Sequence, residues 1–201
     1  MLRVGLTGGL ATGKSFVGEA LEKLGCHLVR ADELGHQVLL PDGEAYEGVV
    51  REFGAGILEA DGTISRHRLA AAVFNDPAGL ERLSRLVHPP VIRREEELVE
   101  QFFARDPGGI VVTEAAILIE TGHYRQYERI VLAVCDREQQ IERAMRRNGS
   151  SRQEVLARLE RQMPLEEKRK FADYVIDTSG SQANTLEQVE QVYLALRSIQ
   201  S

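Results

Sequence analysis

The chain has 201 residues, 43% hydrophobic and 28% charged, which is enough apolar surface for a packed core and excludes disorder, collagen and coiled coil. Lys plus Arg number 25 against 31 Asp plus Glu, and the net charge of −6 speaks against binding duplex nucleic acid through bulk charge. The apolar runs near 110–112 and 130–134 fall far short of the ~18 residues of a membrane span, and a strand-like segment from Leu2 leaves no room for a signal peptide.

A cytoplasmic protein with no membrane or nucleic-acid partner is therefore expected; a monomer or small homo-oligomer with small-molecule ligands is a separate expectation that composition does not decide. The two cysteines, Cys26 and Cys135, lie far apart beside apolar stretches and read as buried, inert thiols. No Cys/His cluster has zinc-ligand spacing.

Residues 2–7 read as a first strand running straight into glycines. Residues 14–24 place Val17, Ala20, Leu21 and Leu24 on one helical face, and Gly25 can end that helix. A short strand at 27–30 follows. From Asp32 to Arg105 the pattern is mostly helical, broken at Pro41-Asp42-Gly43, Asp61-Gly62, Asn75-Asp76-Pro77 and His88-Pro89-Pro90. Leu69, Ala72 and Val73 mark one apolar face there, and Leu80, Leu83 and Leu86 another.

Asp106-Pro107-Gly108-Gly109 is a turn before a third strand at 110–113, and 129–135 is a fourth, apolar enough for burial on both faces. A basic helix at 137–147 stops at Asn148-Gly149, and Ser151 with Glu154 makes a capping box for the next. A fifth strand spans 174–176. The closing helix, from about Thr185, is expected to bury Leu186, Val189, Val192, Tyr193 and Leu196. Strands alternating with helices predict an α/β fold with a parallel sheet.

The strongest motif is Gly8-Gly9-Leu10-Ala11-Thr12-Gly13-Lys14-Ser15, a full match to G-x-x-x-x-G-K-[ST]. At residue frequencies of ~7%, such a match arises by chance in roughly one chain in a hundred. The strand before it and the amphipathic helix after it supply the context that the chemistry needs. Glycines let backbone N–H groups wrap a phosphate, and the helix N-terminus adds its dipole. Lys14 is expected to reach the β- and γ-phosphates, and the Ser15 hydroxyl to ligate Mg²⁺. Phe16 completes the set of ATP-binding candidates.

Asp106-Pro107-Gly108-Gly109 formally fits D-x-x-G, but it follows a polar helix end and no N-K-x-D guanine motif occurs, so a signalling GTPase is poorly supported. Small P-loop kinases remain, with an acceptor subdomain and an arginine lid. Asp32, just beyond the second strand, suits an acceptor hydroxyl held in line with the γ-phosphate; as a residue preceding Leu34 and Val38 it equally suits a helix N-cap. Arg143, Arg146 and Arg147 share a helix face and suit neutralisation of phosphoryl charge, or a solvated face paired with Glu142 or Glu138. Glu114 after the third strand suits the magnesium water shell or a helix cap, and His88 by itself reads as structural. Lys168-Arg169-Lys170 reads as a solvated helix end.

In order along the chain, these pieces resemble the dephospho-CoA kinase family over nearly the whole length. The matching residues are Gly5-Leu6-Thr7-Gly8-Gly9 through Gly13-Lys14-Ser15, Ala31-Asp32, Phe53-Gly54, Asp61-Gly62 with Arg66 and Leu69, Val73-Phe74 and His88-Pro89. Further on come Ile117-Leu118-Ile119-Glu120, Gln140 through Arg143 and Arg147, Gln162, Ala172-Asp173 and Ile176-Asp177.

The resemblance implies transfer of the ATP γ-phosphate, with Mg²⁺, to the ribose 3′-hydroxyl of dephospho-CoA. It implies a three-layer P-loop kinase fold on a five-stranded parallel sheet. Its core is expected at about 1–31, 106–136 and 152–201, a helical CoA-binding insert at about 32–105, and a lid at about 137–151. Asp32 becomes the catalytic carboxylate, aided by Lys14, Arg143 and Arg147; Arg66, His88 and Glu114 face the acceptor, and Asp177 and Thr178 flank the adenine. Ala11-Thr12 stands where the family often has Gly-Ser, Arg30 where Asp is common, Ala116 where Pro is frequent and Thr178 where Asn is frequent. Another small-molecule P-loop kinase, acting on a nucleoside or nucleotide, is the rival enzyme; a non-catalytic nucleotide-binding regulator is the rival of another class.

Overall fold

A computed structural model describes residues 1–73 and 76–199. The turn expected at Asn75, and Phe74 of the family pattern, lie outside the described residues. The chain forms two compact units, residues 1–30 with 101 onward, and residues 31–100.

The first unit carries five parallel strands, β1 (Leu2–Gly8), β2 (His27–Arg30), β3 (Ile110–Glu114), β4 (Arg129–Val134) and β5 (Tyr174–Asp177), in the order β2-β3-β1-β4-β5. β1 lies between β3 and β4, and these three are buried almost throughout, which is why they read as continuous apolar runs. Gly5 is required by close packing: a Cβ there would lie 2.5 Å from Leu118 Cδ2 and 2.9 Å from Ile130 Cδ1.

The helices in chain order are α1 (Lys14–Lys23), α2 (Ala31–Gln37), α3 (Tyr46–Phe53), α4 (Arg66–Val73), α5 (Pro77–Arg105), α6 (Arg137–Asn148), α7 (Arg152–Leu159), α8 (Leu165–Arg169) and α9 (Gln182–Ile199). α1 and α9 bury Val17, Ala20 and Leu21, and Val189, Val192 and Leu196, in one cluster with Leu6, Val112 and Val131 of the sheet. Leu186 and Leu24, expected inside, are exposed, because the buried stripe of α9 runs through Thr185, Val189, Val192 and Leu196 and Leu24 lies past the end of α1. Ile141, Ala144 and Val155 join α6 to α7 in a second cluster, and the expected Ser151–Glu154 capping box is present. Cys26 and Cys135 are buried and free.

In the second unit Val38, Ala45, Val49, Ile57 and Leu69 form the core. The expected break at His88-Pro89-Pro90 is absent: α5 runs 29 residues with both prolines inside it. Each proline removes one helical hydrogen bond. Leu83, Leu86, Val87 and Val91 on either side pack on the same cluster, and that burial holds the helix together across the interruption. Leu80 and Ala72 point to solvent.

Candidate active site

In a parallel sheet all carboxyl ends lie at one edge, and the motif at residues 8–15 leaves the middle strand there. The D-x-x-G turn instead precedes β3 at the opposite edge, where Asp106 lies 3.4 Å from His27. The loop ends at Gly13, φ 79°, the left-handed N-cap of α1. A Cβ on Gly13 would lie 3.1 Å from Thr178 Oγ1, so glycine is needed there for both conformation and space. Ala11 also has positive φ, 56°, a left-handed conformation that costs a non-glycine residue about 1–2 kcal/mol.

Lys14, Ser15 and Glu114 converge. Glu114 closes β3, in register with Leu6, and is buried. Its Oε1 accepts from Lys14 Nζ at 2.9 Å and from Ser15 Oγ at 2.6 Å. Its Oε2 is buried without a hydrogen-bond partner. A buried, half-satisfied carboxylate costs free energy, so its retention beside a serine hydroxyl is the mark of a polar ligand site. Among the described residues the hydrogen bonds of Glu114 go to these two side chains and to no helix N-terminal N–H.

The β5–α9 loop closes the other side. Thr178 N donates to Val134 O at 2.8 Å, and the Thr178 hydroxyl donates to Thr12 O at 2.8 Å. Arg143 of α6 donates to Thr178 Oγ1 at 3.0 Å and Thr178 O at 2.8 Å, with Gln139 Oε1 at 3.1 Å. Arg143 therefore turns inward onto this loop, whereas Arg146 and Arg147, on the same helix, are exposed. Glu138 pairs with Arg152 of α7 through two 2.9 Å contacts rather than with an arginine of its own helix. Asp177 Oδ1 accepts from Ser179 N at 2.8 Å; hydrogen bonds from the Ser179 hydroxyl and backbone N–H, reinforced by the Arg169 and Arg143 charges, hold its carboxyl below the usual range.

A cavity of about 560 Å³ opens beside the loop, lined by Gly9, Cys135, Gln140, Met163, Arg169 and Asp177 among others. Burial pushes the Cys135 thiol above its ordinary value, with the Arg143 charge opposing.

Within the second unit, Asp32 lies in the first turn of α2, one residue inside the helix, and so is not its N-cap. It shares a cluster with His36 and Arg66: desolvation and the Arg66 charge hold His36 below its ordinary value, while Asp32 and Glu33 pull it upward. His88 is half-buried in the middle of α5, immediately before Pro89.

Lys168 is the residue that the sequence reading missed. Its basic neighbours predict a solvated helix end, yet it is fully buried, its Nζ 3.1 Å from Gly8 O, 3.0 Å from Ala116 O and 2.8 Å from Glu120 Oε1. A basic tripeptide offers no hint of this; only the tertiary fold brings two carbonyls and a carboxylate to one of its three cations. Gln162 is a second contact to the loop, its Oε1 accepting from Leu10 N at 2.8 Å.

Comparison with known proteins gives a consistent result. A family model described as dephospho-CoA kinase matches residues 2–184. Dephospho-CoA kinase of Syntrophus aciditrophicus (strain SB) is 38% identical over 196 residues, 98% of this chain and 83% of the relative. TT1252 from Thermus thermophilus, a solved structure, is 33% identical with a TM-score of 0.83 over 96% of both chains. Dephospho-CoA kinase from Campylobacter jejuni, at 24% identity, shares the fold with a TM-score of 0.70 over 99% of this chain and 98% of its own. With its P-loop, its parallel sheet and a family match over nearly all its length, the chain belongs to the dephospho-CoA kinase family.

Proposed function

We propose that this chain transfers the γ-phosphate of ATP to the ribose 3′-hydroxyl of dephospho-CoA, giving coenzyme A and ADP, the last step of coenzyme A synthesis. The observation that carries the reading is the Lys14–Glu114–Ser15 cluster at the end of a P-loop, in a chain of this family. Phosphoryl transfer asks for positioning and charge neutralisation more than for covalent chemistry, and these residues supply both.

Backbone N–H groups of the loop at residues 8–15, other than that of Leu10, which Gln162 holds, cradle the phosphates with Phe16 following, and Lys14 exchanges Glu114 for the β- and γ-phosphates. The Ser15 hydroxyl and the unpartnered Oε2 of Glu114 are hard oxygen donors that fit Mg²⁺. When bound there, the ion would neutralise phosphate charge. Asp32 accepts the proton of the attacking hydroxyl, and Arg66 and His88 bind the acceptor. Arg143 and Arg147 stabilise the transferring group from a lid at about 137–151, which excludes water and suppresses ATP hydrolysis. Asp177 and Thr178 flank the adenine. The acceptor region is about 32–105 and the core about 1–31, 106–136 and 152–201. The enzyme acts in the cytoplasm as a monomer or small homo-oligomer, without membrane or nucleic-acid partners.

Product analysis tests this reading. Phosphorus NMR of a reaction with ATP, Mg²⁺ and dephospho-CoA should show a 3′-monoester and one ADP per coenzyme A. A phosphate on any other oxygen, or ADP without coenzyme A, refutes it.

A further inference from the structure

We infer that Lys168 is a positioning residue for nucleotide binding, a cation that fixes the phosphate-binding loop from behind. The inference rests on the kinase reading only for the class of ligand, a nucleoside di- or triphosphate.

An ammonium has three N–H donors and no acceptor. The Lys168 side chain is 0% exposed and its Nζ has three acceptors, Gly8 O at 3.1 Å, Ala116 O at 3.0 Å and Glu120 Oε1 at 2.8 Å. Every donor therefore has a partner, which is what a cation withdrawn from water requires. Glu120 balances the charge and also accepts from Met163 N at 3.3 Å, tying the segment before α8 to the same point.

The two carbonyls are not arbitrary. Gly8 ends β1 and begins the phosphate loop, and Ala116 lies two residues past the end of β3, the strand that brings in Glu114. With Leu6 opposite Glu114 in the β1–β3 register, Lys168 bridges the neighbouring strands where both leave the sheet. In a trans peptide the C=O and the following N–H point in opposite directions. Holding the Gly8 carbonyl therefore fixes the direction of the Gly9 N–H, and with it the first peptide plane of the loop.

Gln162, from the same returning segment, holds the Leu10 N–H at 2.8 Å. Gly8 and Leu10 are thus both anchored by residues 162–168, while Thr12 is held from the far side by Thr178. The role is positional, because the carboxylate of Glu120 cancels the charge and Lys168 is sealed from solvent.

The test is Lys168→Met, which keeps the length and apolar stem but offers no donor. Titration with ADP without metal should show affinity at least about tenfold weaker, the scale of losing hydrogen bonds from a charged donor. The KM for dephospho-CoA should stay within about twofold, a split that a general loss of structure would not produce. A folded variant with ADP affinity within about twofold of wild type overturns the inference, and so does equal loss for both substrates. Should Lys168→Met fail to fold, Glu120→Gln takes its place, since Glu120 is 21% exposed on its side chain and the amide keeps an acceptor. It should weaken ADP binding at least about threefold, and unchanged affinity overturns the inference. Failure of wild type to phosphorylate dephospho-CoA would remove the kinase reading alone, because ADP titration judges the loop anchor independently.

Discussion

Glu114→Gln separates the electrostatic role of the buried carboxylate from its shape. One oxygen of Glu114 holds both Lys14, at 2.9 Å, and Ser15, at 2.6 Å, so the protein occupies these groups before any nucleotide arrives. Side-chain exposures of 10% for Lys14 and 6% for Glu114 mean that salt screens the pair little. A hydrogen bond between charged groups contributes about 1.5–3 kcal/mol, against about 1 for a neutral acceptor. The glutamine amide keeps the shape and one acceptor, and therefore lowers the cost of releasing Lys14 to a phosphate by about 1–2 kcal/mol. Metal-free ADP should then bind roughly five- to thirtyfold tighter, while turnover with Mg²⁺ falls by about 10²-fold or more as a charged site oxygen is lost. Calorimetric titration with ADP in chelator and a coupled ADP-release assay read the two effects. Unchanged or weaker metal-free affinity, in a variant that melts like wild type, would refute the competition between Glu114 and phosphate.

Asp32→Asn should slow turnover by about 10²–10⁴-fold with little change in melting temperature, since Asp32 lies inside the first turn of α2 and not at its cap; steady-state kinetics beside a thermal melt check both. Arg143→Ala forfeits contacts to Thr178 and Gln139 and should cost about 1–3 kcal/mol of stability as well as turnover. Arg147→Ala, at an exposed position, should lower kcat more than it raises KM and change stability by less than about 0.5 kcal/mol. Burial pushes the Cys26 thiol from 9.0 up to about 12, with Arg197 opposing. The folded state thus keeps a proton that the unfolded state releases, so this stabilisation is full below pH 9 and is lost as pH rises toward 12. Urea unfolding at pH 8 and 10 should show a steeper alkaline loss for wild type than for Cys26→Ala, by up to about 1.4 kcal/mol per pH unit; parallel profiles would contradict it.

What was legible in the sequence is what is local. The phosphate loop, the five strands and the turns at Asp61-Gly62 and Asp106-Gly109 announce themselves through glycine, alternation and apolar runs, and the structure has each of them. The Ser151–Glu154 cap was likewise readable, because its two partners are three residues apart. Lys168 was not: its acceptors Gly8 and Ala116 lie 160 and 52 residues away. The partner of Lys14 is 100 residues distant, so neither the Lys14–Glu114 pair nor the inward turn of Arg143 onto Thr178 could be read from spacing. α5 shows the opposite failure, where a strong local stop signal at Pro89-Pro90 is overridden by apolar packing on both sides. On α9 mixed polarity allows two neighbouring stripes, and only the sheet selects the one that leaves Leu186 exposed.

The phosphate that this loop delivers goes to one specific acceptor, dephospho-CoA. The direct measurement offers γ-labelled ATP and Mg²⁺ to the purified protein with dephospho-CoA, adenosine or AMP in separate reactions at equal concentration. Label should move to dephospho-CoA alone, with no ADP formed beyond that transfer. Label on adenosine or AMP, or no transfer by a protein that still binds ADP, would contradict it.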